Sequence, residues 1–540
     1  MDWRDLASWA VEIASLVGSD GRVLEPAMGE LEEMARRHGR ITEFGSVAFY
    51  SCVRSRSARR TVHVGSERVR QRGLTPEQRE ILENIERTME ALERYVRRAP
   101  FVEVRRRMGQ NRVCSPRCTL YVSVARPDSV RLAHMWAKTL FPPEGGTGHG
   151  ITLVDVPEWP EIQILVFPEV GVTFVLGSDY FGEVKKGFLR MAMWEAKQEG
   201  LLGLHAGAKI ARARGPDGEI RRYLLLIFGL SGTGKTTHSC HDHFLRGPGE
   251  GIRVLQDDVV FLSKDGRVYG TEDAFYVKTE GLDPEGQPLL YRATTMPNVV
   301  LDNVMVDAEG RVDFLDYTLT SNGRAIVPRQ NLGEHSTEEI DLEDPEEVDG
   351  IVLLFITRRN TVVPAMSKLT PEQAAAFFML GESVITSAAD PRRAGQSIRV
   401  VGTNPFIVGD YAYEGNWMYD FLLRNGDRVQ AYLANTGGVG EIAEWDGSRR
   451  RVIRPVRRVK IEEMGRIIGG ILRGQARWRP DPLLRVEVLN GVPGVSGEDL
   501  HPARYYDPET LRRMAEDLRR ERLEWLSRFE GLRPEIVESI

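Results

Sequence analysis

The sequence predicts a two-domain α/β protein, and three observations carry that reading. At 540 residues the chain exceeds what one hydrophobic core usually holds. Short strand-like runs alternate with helical patterns along its length. Between residues 223 and 258 the order is strand, glycine-rich loop, helix start, strand, written YLLLIF, GLSGTGKT and then IRVLQDD. The natural division falls near residue 200, giving domains 1–203 and 204–540.

The elements follow in order. Residues 1–37 are helical in pattern, beginning as an acid-containing amphipathic helix (MDWRDLASWAVEIASL) rather than a basic leader. Residues 41–65 read as a strand-rich piece ending in the basic SRSARR. Thr75 to Arg98 has a Thr N-cap, Pro at the first helical position and apolar residues at helical spacing, which predicts one helix. PEGGTGHG (143–150) is a loop. Strands are expected at 151–156, 162–167 and 172–176, then a helix over Phe181 to Gln198 carrying Lys185 and Lys186. GPDGE (215–219) makes a hairpin-like turn before the strand YLLLIF. The basic run RRRVIRPVRRVK (449–460) reads as a solvated edge or loop, and the chain from Pro508 as a charged amphipathic helix pair at the periphery.

Composition excludes several classes. Hydrophobic residues at 41% and charged residues at 28% describe a globular protein. A net charge of −6 predicts no general affinity for nucleic acid or anionic membrane. No run approaches the roughly 18 apolar residues of a membrane span. Four cysteines argue against a disulfide framework and for a reducing, cytoplasmic compartment. Cys114 and Cys118 have no partner pair at zinc-site spacing.

Gly229-Leu230-Ser231-Gly232-Thr233-Gly234-Lys235-Thr236 fits G-x-x-x-x-G-K-[ST], followed by Thr237. Glycines let backbone N–H groups turn inward as an anion nest, and the helix that follows aims its N-terminal dipole at the phosphates. Lys235 would reach the β- and γ-phosphates, and the Thr236 hydroxyl a metal ion. Asp257 and Asp258 end the next apolar run, where carboxylates commonly hold the metal of such sites. These residues by themselves specify a metal-nucleotide site.

The loop GLSGTGKTT resembles that of ATP-dependent phosphoenolpyruvate carboxykinases more closely than a general phosphate loop does. The resemblance continues collinearly from about residue 50 to 475. It includes SRSARR (55–60), YFGEVKKG (180–187), LHAGAK (204–209), LQDD (255–258), FYVKT (275–279) and LDNVMVDAEGRVDFLD (301–316). TLTSNGR (318–324), LTPEQAAAFF (369–378) and YLANTGG (432–438) complete it. It implies a two-domain carboxykinase-like fold with a mixed-sheet C-terminal domain holding the phosphate loop and ending in a helical extension.

The resemblance also implies a reaction, the decarboxylation of oxaloacetate to an enolate that takes the γ-phosphoryl of ATP. Arg56 and Arg324 are then substrate arginines, one from each domain, and Tyr180 lies beside the substrate. Lys186, His205 and Asp258 are ligands of a transition metal, Mn²⁺, and Thr236 serves a second ion, Mg²⁺, with the nucleotide. Lys186, Lys235, Asp257 and Arg324 are the implied catalytic groups. The loop residues 229–237, with Arg324 and Arg458, contact the nucleotide. The partner is a small-molecule substrate, and the protein is a monomer or small homo-oligomer.

This sequence also departs from the family pattern. Asp257-Asp258 continues as Val259-Val260 where the family has Glu-His. Ser55 and Ala58 replace the Gly and Pro flanking the substrate arginine, Gly323 replaces a Thr before Arg324, and Ala206-Gly207-Ala208 stands for Cys-Ser-Ala. Two other functions are therefore carried beside the first: a kinase of another small acceptor without decarboxylation, and a nucleotide-binding regulatory protein with little turnover.

Overall fold

The computed structural model describes all residues except 20–22, 149, 231, 386–395 and 447–448. The chain forms two compact units. One comprises Met1–Gly203, Tyr269–Asn331 and Phe406–Asp410; the other comprises Leu204–Val268, Leu332–Pro405 and Tyr411–Ile540. The chain thus passes between units five times, the first after Gly203. Residues 269–331 return to the first unit because Val300–Asp302 pairs in parallel with Val47–Phe49.

The first unit holds two mixed sheets. The larger has seven strands, ordered Val23–Leu24, Phe101–Arg107, Arg117–Ser123, Ile151–Val156, Val172–Leu176, Gln163–Phe167 and Thr61–His63. The three strands expected between 151 and 176 are all present. Their near-continuous apolar character matches burial on both faces. The helix Phe181–Gln198 forms as expected and is buried over almost its whole length. The second sheet runs Ala274–Lys278, Arg324–Pro328, Val300–Asp302, Val47–Phe49 and Arg40–Ile41. It therefore places Arg324 in the same unit as Arg56, not in the other domain as the sequence implied.

The helix expected over residues 75–98 is two helices, Pro76–Glu83 and Ile85–Val96. Its start is as predicted, with Thr75 and Gln78 in a capping box and Pro76 at the first position. The break falls at Asn84, at φ −103° and ψ 8°. Its Nδ2 donates to the Glu80 carbonyl at 2.9 Å, the local side-chain bond that lets Asn compete with helix continuation.

The second unit is built on a nine-stranded mixed sheet. Its path is Gly251–Gln256, Ala206–Arg214, Ile220–Gly229, Gly350–Thr357, Val429–Asn435, Met366–Leu369, Val486–Val492 and Arg477–Asp481, with Val495–Ser496 on the Val486–Val492 strand. Ala206–Arg214 and Ile220–Gly229 form an antiparallel hairpin around residues 215–219, with Gly218 at φ +87°. Gly350–Thr357 then runs parallel to both Ile220–Gly229 and Val429–Asn435. The C-terminal ends of these central strands deliver Gly229, Thr357 and Asn435 side by side. The basic run becomes the strand Arg449–Arg454 of a hairpin with Ile442–Asp446, followed by Arg457–Arg458.

The C-terminal extension is one long helix, Pro508–Leu526, and a short one, Pro534–Glu538. Trp525 Nε1 donates to the Met379 carbonyl at 2.9 Å, and Arg522 pairs with buried Glu382. No helix among the described residues is long and apolar enough to cross a membrane.

Candidate functional site

In the first unit the groups expected to bind substrate gather around the N-terminal end of the helix Phe181–Gln198. Tyr180 is its N-cap residue and is buried. Asp179 and Glu183, on either side, hold the segment that carries Arg56. The Asp179 carboxylate accepts from the Cys52 and Val53 amides, each at 2.9 Å, and Glu183 Oε2 accepts from the Ser57 amide at 2.8 Å. Buried Arg131 donates to Asp179 at 2.9 Å. The segment that carries the basic SRSARR is thus pinned through its backbone on both sides of Arg56.

Two residues that sequence reasoning passed over tie this group together. Asn322 Nδ2 donates to the Tyr180 hydroxyl and to the Arg54 carbonyl, each at 2.9 Å, while its Oδ1 accepts from Arg324 at 2.9 Å. It lies two residues before Arg324 in TLTSNGR, so the motif pointed to it. Phe406, buried, puts its ring 4.3 Å from the Arg56 guanidinium carbon and 5.0 Å from Lys186 Nζ. Both are cation–π distances. No sequence signal linked that phenylalanine to the two cations.

The adjacent lysines part ways. Lys185, 1% exposed, forms an ion pair with equally buried Glu272 at 2.8 Å and lies 5.4 Å from the Tyr276 ring. Lys186 points toward Phe406 instead. The Arg324 guanidinium carbon lies 5.5 Å from the centre of the same Tyr276 ring, whose hydroxyl donates to Asp302 at 3.1 Å. Burial raises the Asp302 pKa to about 6, with Arg131, Tyr276 and Arg324 opposing it.

In the second unit the glycine-rich segment leaves the strand Ile220–Gly229 and enters the helix Lys235–Cys240. Gly232 at φ +82° and Gly234 at φ +102° use the left-handed region that glycine tolerates. Three carbonyls of the segment are engaged by protein donors. Leu230 accepts from the Thr233 hydroxyl at 2.7 Å, Gly232 from Arg358 at 2.8 Å, and Thr233 from the Thr436 hydroxyl at 2.6 Å. Carbonyls held this way are withdrawn from an anion, as a phosphate nest requires. Ser231 lies outside the described residues. Thr236 and Thr237 are half-buried. Arg358 and Thr436 were not singled out from sequence, although Thr436 stands in YLANTGG.

Asp257 and Asp258 follow the strand Gly251–Gln256 and are buried. Asp258 Oδ1 accepts from Lys235 Nζ at 2.9 Å and lies 3.1 Å from His205 Nε2. The other ring nitrogen, Nδ1, is 2.7 Å from the Thr403 carbonyl oxygen. A carbonyl only accepts, so Nδ1 carries a proton, and Nε2 is the nitrogen that faces Asp258 and would present its lone pair to a bound metal ion. That is the outer-shell arrangement of a metal-binding histidine, and the imidazole–carboxylate pair suits a transition metal. Among the described residues no three His, Cys, Asp or Glu side chains gather as a metal site. The third expected donor, Lys186, is of a different type and belongs to the first unit.

One departure has a packing cause. A Cβ on Gly207 would come within 2.0 Å of Ser239 Oγ, which donates to the Lys235 carbonyl at 2.9 Å. Glycine here leaves room for a serine supplied by the opposing helix. Arg458 is exposed, and the pairing of Arg457–Arg458 with Gly438–Val439 sets it just beyond Thr436.

Residues 24–498 match the model of a family described as phosphoenolpyruvate carboxykinase. The chain is 35% identical over 437 residues to the phosphoenolpyruvate carboxykinase (ATP) of Aeropyrum pernix, covering 80% of this chain and 82% of that one. It is 29% identical over 390 residues to phosphoenolpyruvate carboxykinase (ATP) 1 of Salinibacter ruber, covering 68% and 66%. A relative from Rhodopseudomonas palustris with the same name as the first is 28% identical over 337 residues, covering 62% and 57%.

Proposed function

The chain belongs to the ATP-dependent phosphoenolpyruvate carboxykinase family, and from that membership we infer that it is an enzyme converting oxaloacetate and ATP to phosphoenolpyruvate, CO₂ and ADP. The carbon–carbon bond to the departing carboxylate breaks, its electrons form the enolate of pyruvate, and the enolate oxygen takes the γ-phosphoryl group. The observation that carries the reading is the convergence of Lys235 and His205 on one carboxylate oxygen of Asp258. It joins the nucleotide lysine to a pair of metal donors.

The roles follow each group's chemistry. Arg56 and Arg324 bind the substrate carboxylates, because planar guanidinium forks match carboxylate oxygens. Tyr180, oriented by Asn322, lies beside them, and Phe406 sets the faces of Arg56 and Lys186. Lys235 leaves Asp258 for the transferring phosphoryl, whose charge it offsets with Thr236, Thr237, Arg458 and the backbone of residues 229–234 around the polyphosphate. Asp257 would support the nucleotide-side ion. His205 and Asp258 would hold Mn²⁺, with a neutral Lys186 as the further donor that the family resemblance implies, and Thr236 would serve Mg²⁺. A divalent ion so held would stabilise the charge that develops on the enolate oxygen. All four cysteines are free thiols, which supports a cytoplasmic location.

Purified protein with Mn²⁺, Mg²⁺, oxaloacetate and ATP, followed by phosphorus NMR, should form phosphoenolpyruvate with one CO₂ released per turnover. Phosphorylation of another acid without CO₂ release would replace this reading with that of a kinase on the same scaffold.

A further inference from the structure

The helix Lys235–Cys240 has six residues, too few to persist without outside support, yet it carries both Lys235 and Thr236. One support lies at its far end. Lys209 stands on the strand Ala206–Arg214, two residues after Gly207, and is 0% exposed. Its Nζ donates to the His238 carbonyl at 2.6 Å and the His241 carbonyl at 2.7 Å. These carbonyls sit at the helix C-terminus, where intrahelical amide partners run out and the helix dipole favours a cation.

The surroundings make a buried ammonium costly unless these bonds retain it. Burial pulls the Lys209 pKa down to about 7, against the smaller opposing pull of Cys240 and Asp242. Burial likewise lowers His238 to about 3, His241 to about 4 and His243 well below its ordinary value, so the neighbouring rings are neutral. Asp242 is engaged by Arg246. The run His238-Ser239-Cys240-His241-Asp242-His243 has a metal-binding composition, but His241 Nδ1 already accepts from the His243 amide at 2.8 Å. No metal cluster forms there among the described residues.

We propose that Lys209 is a positioning residue for phosphoryl transfer. Its ammonium ties the C-terminal end of this short helix to the sheet and thereby fixes Lys235 and Thr236 at the other end toward the polyphosphate. The proposal rests on the reading of residues 229–237 as the nucleotide loop.

The test compares Lys209→Met, Lys209→Arg and Lys235→Ala with the parent. ATP binding is followed by calorimetry, and the KM values for ATP and oxaloacetate are measured separately. Lys209→Met should raise the Kd and KM for ATP about tenfold or more, the loss of two charge-assisted bonds. The KM for oxaloacetate should stay near that of the parent, and Lys209→Arg should recover part of the loss. An unchanged ATP Kd in folded Lys209→Met, or an equal rise in both KM values, would overturn the proposal. Should Lys209→Met fail to fold, Lys209→Gln carries the same test, and an unchanged ATP Kd there overturns it equally. Lys235→Ala separates the two readings. If it binds and uses ATP like the parent, the nucleotide loop itself is misassigned; if it loses ATP while Lys209→Met keeps it, only the anchor fails.

Discussion

His205 Nε2 and Asp258 Oδ1 lie 3.1 Å apart while the opposite nitrogen of the same ring is committed to the Thr403 carbonyl. Nδ1 is thereby committed as a donor, and Nε2 and a carboxylate oxygen face one another. Thr403 holds its carbonyl there from a left-handed conformation, φ +52°, which is uncommon for a β-branched residue. Strain at such a place accords with a functional demand.

The first prediction concerns this pair. His205→Ala should weaken Mn²⁺ binding, read by electron paramagnetic resonance, by at least about tenfold, the lower end of what even an outer-shell partner of a metal contributes. In the parent, Mn²⁺ affinity should fall toward acid pH as protons compete for the Nε2 lone pair. Parent-like affinity in His205→Ala would remove His205 from the metal site.

Much of this arrangement was legible in the sequence, for identifiable reasons. The strand Ile220–Gly229 announces itself as an apolar run ending in glycine, and Asp257–Asp258 as acids closing the next run. The helix Phe181–Gln198 and the three strands before it follow from local pattern alone. What was hidden depends on pairings distant in sequence. Nothing local places Phe406 beneath Arg56 and Lys186, or returns residues 269–331 to the first unit through Val300–Asp302. The break at Asn84 was hidden too, because one side-chain bond outweighs an otherwise helical pattern.

Lys186 and Lys185 should respond differently to substitution. If Lys186 donates to a metal as proposed, it must present a lone pair, so Lys186→Arg should be nearly as damaging to turnover as Lys186→Ala, a guanidinium being always charged. Lys185→Met should instead act on stability, because it takes the buried ion-pair partner from Glu272, a loss of up to about 3–5 kcal/mol. Denaturant unfolding of Lys185→Met and of Lys185→Met with Glu272→Gln checks this. The double variant should recover most of the loss, and no recovery would show that the ion pair is not the cause.

Asn322 makes three hydrogen bonds that orient Tyr180, Arg54 and Arg324. Asn322→Ala should lower kcat/KM for oxaloacetate by about tenfold or more, since a lost hydrogen bond to a charged group alone is worth roughly that factor. ATP affinity should hold. A parallel fall in ATP affinity would mean that Asn322 supports the fold generally rather than the substrate groups.

The last prediction concerns Glu382, which couples the C-terminal helix to its unit. Its carboxylate is buried, 3.1 Å from Arg359 and 3.6 Å from Arg399, and paired with Arg522 of the helix Pro508–Leu526. Burial alone would raise its pKa, but Arg522, Arg359 and Arg399 together outweigh that and hold it well below the usual carboxylate range. A depressed folded-state pKa stabilises the protein fully above the unfolded value of 4.5, and that stability is lost as pH falls toward the folded pKa. Below pH 4.5 the contribution should therefore decline by about 1.4 kcal/mol per pH unit. Glu382→Gln removes the carboxylate and should be much less stable than the parent in urea at pH 7. The gap should narrow steadily from pH 4.5 to 3. A gap of constant size across that range would show that Glu382 holds the helix by shape and neutral hydrogen bonds rather than by its charge.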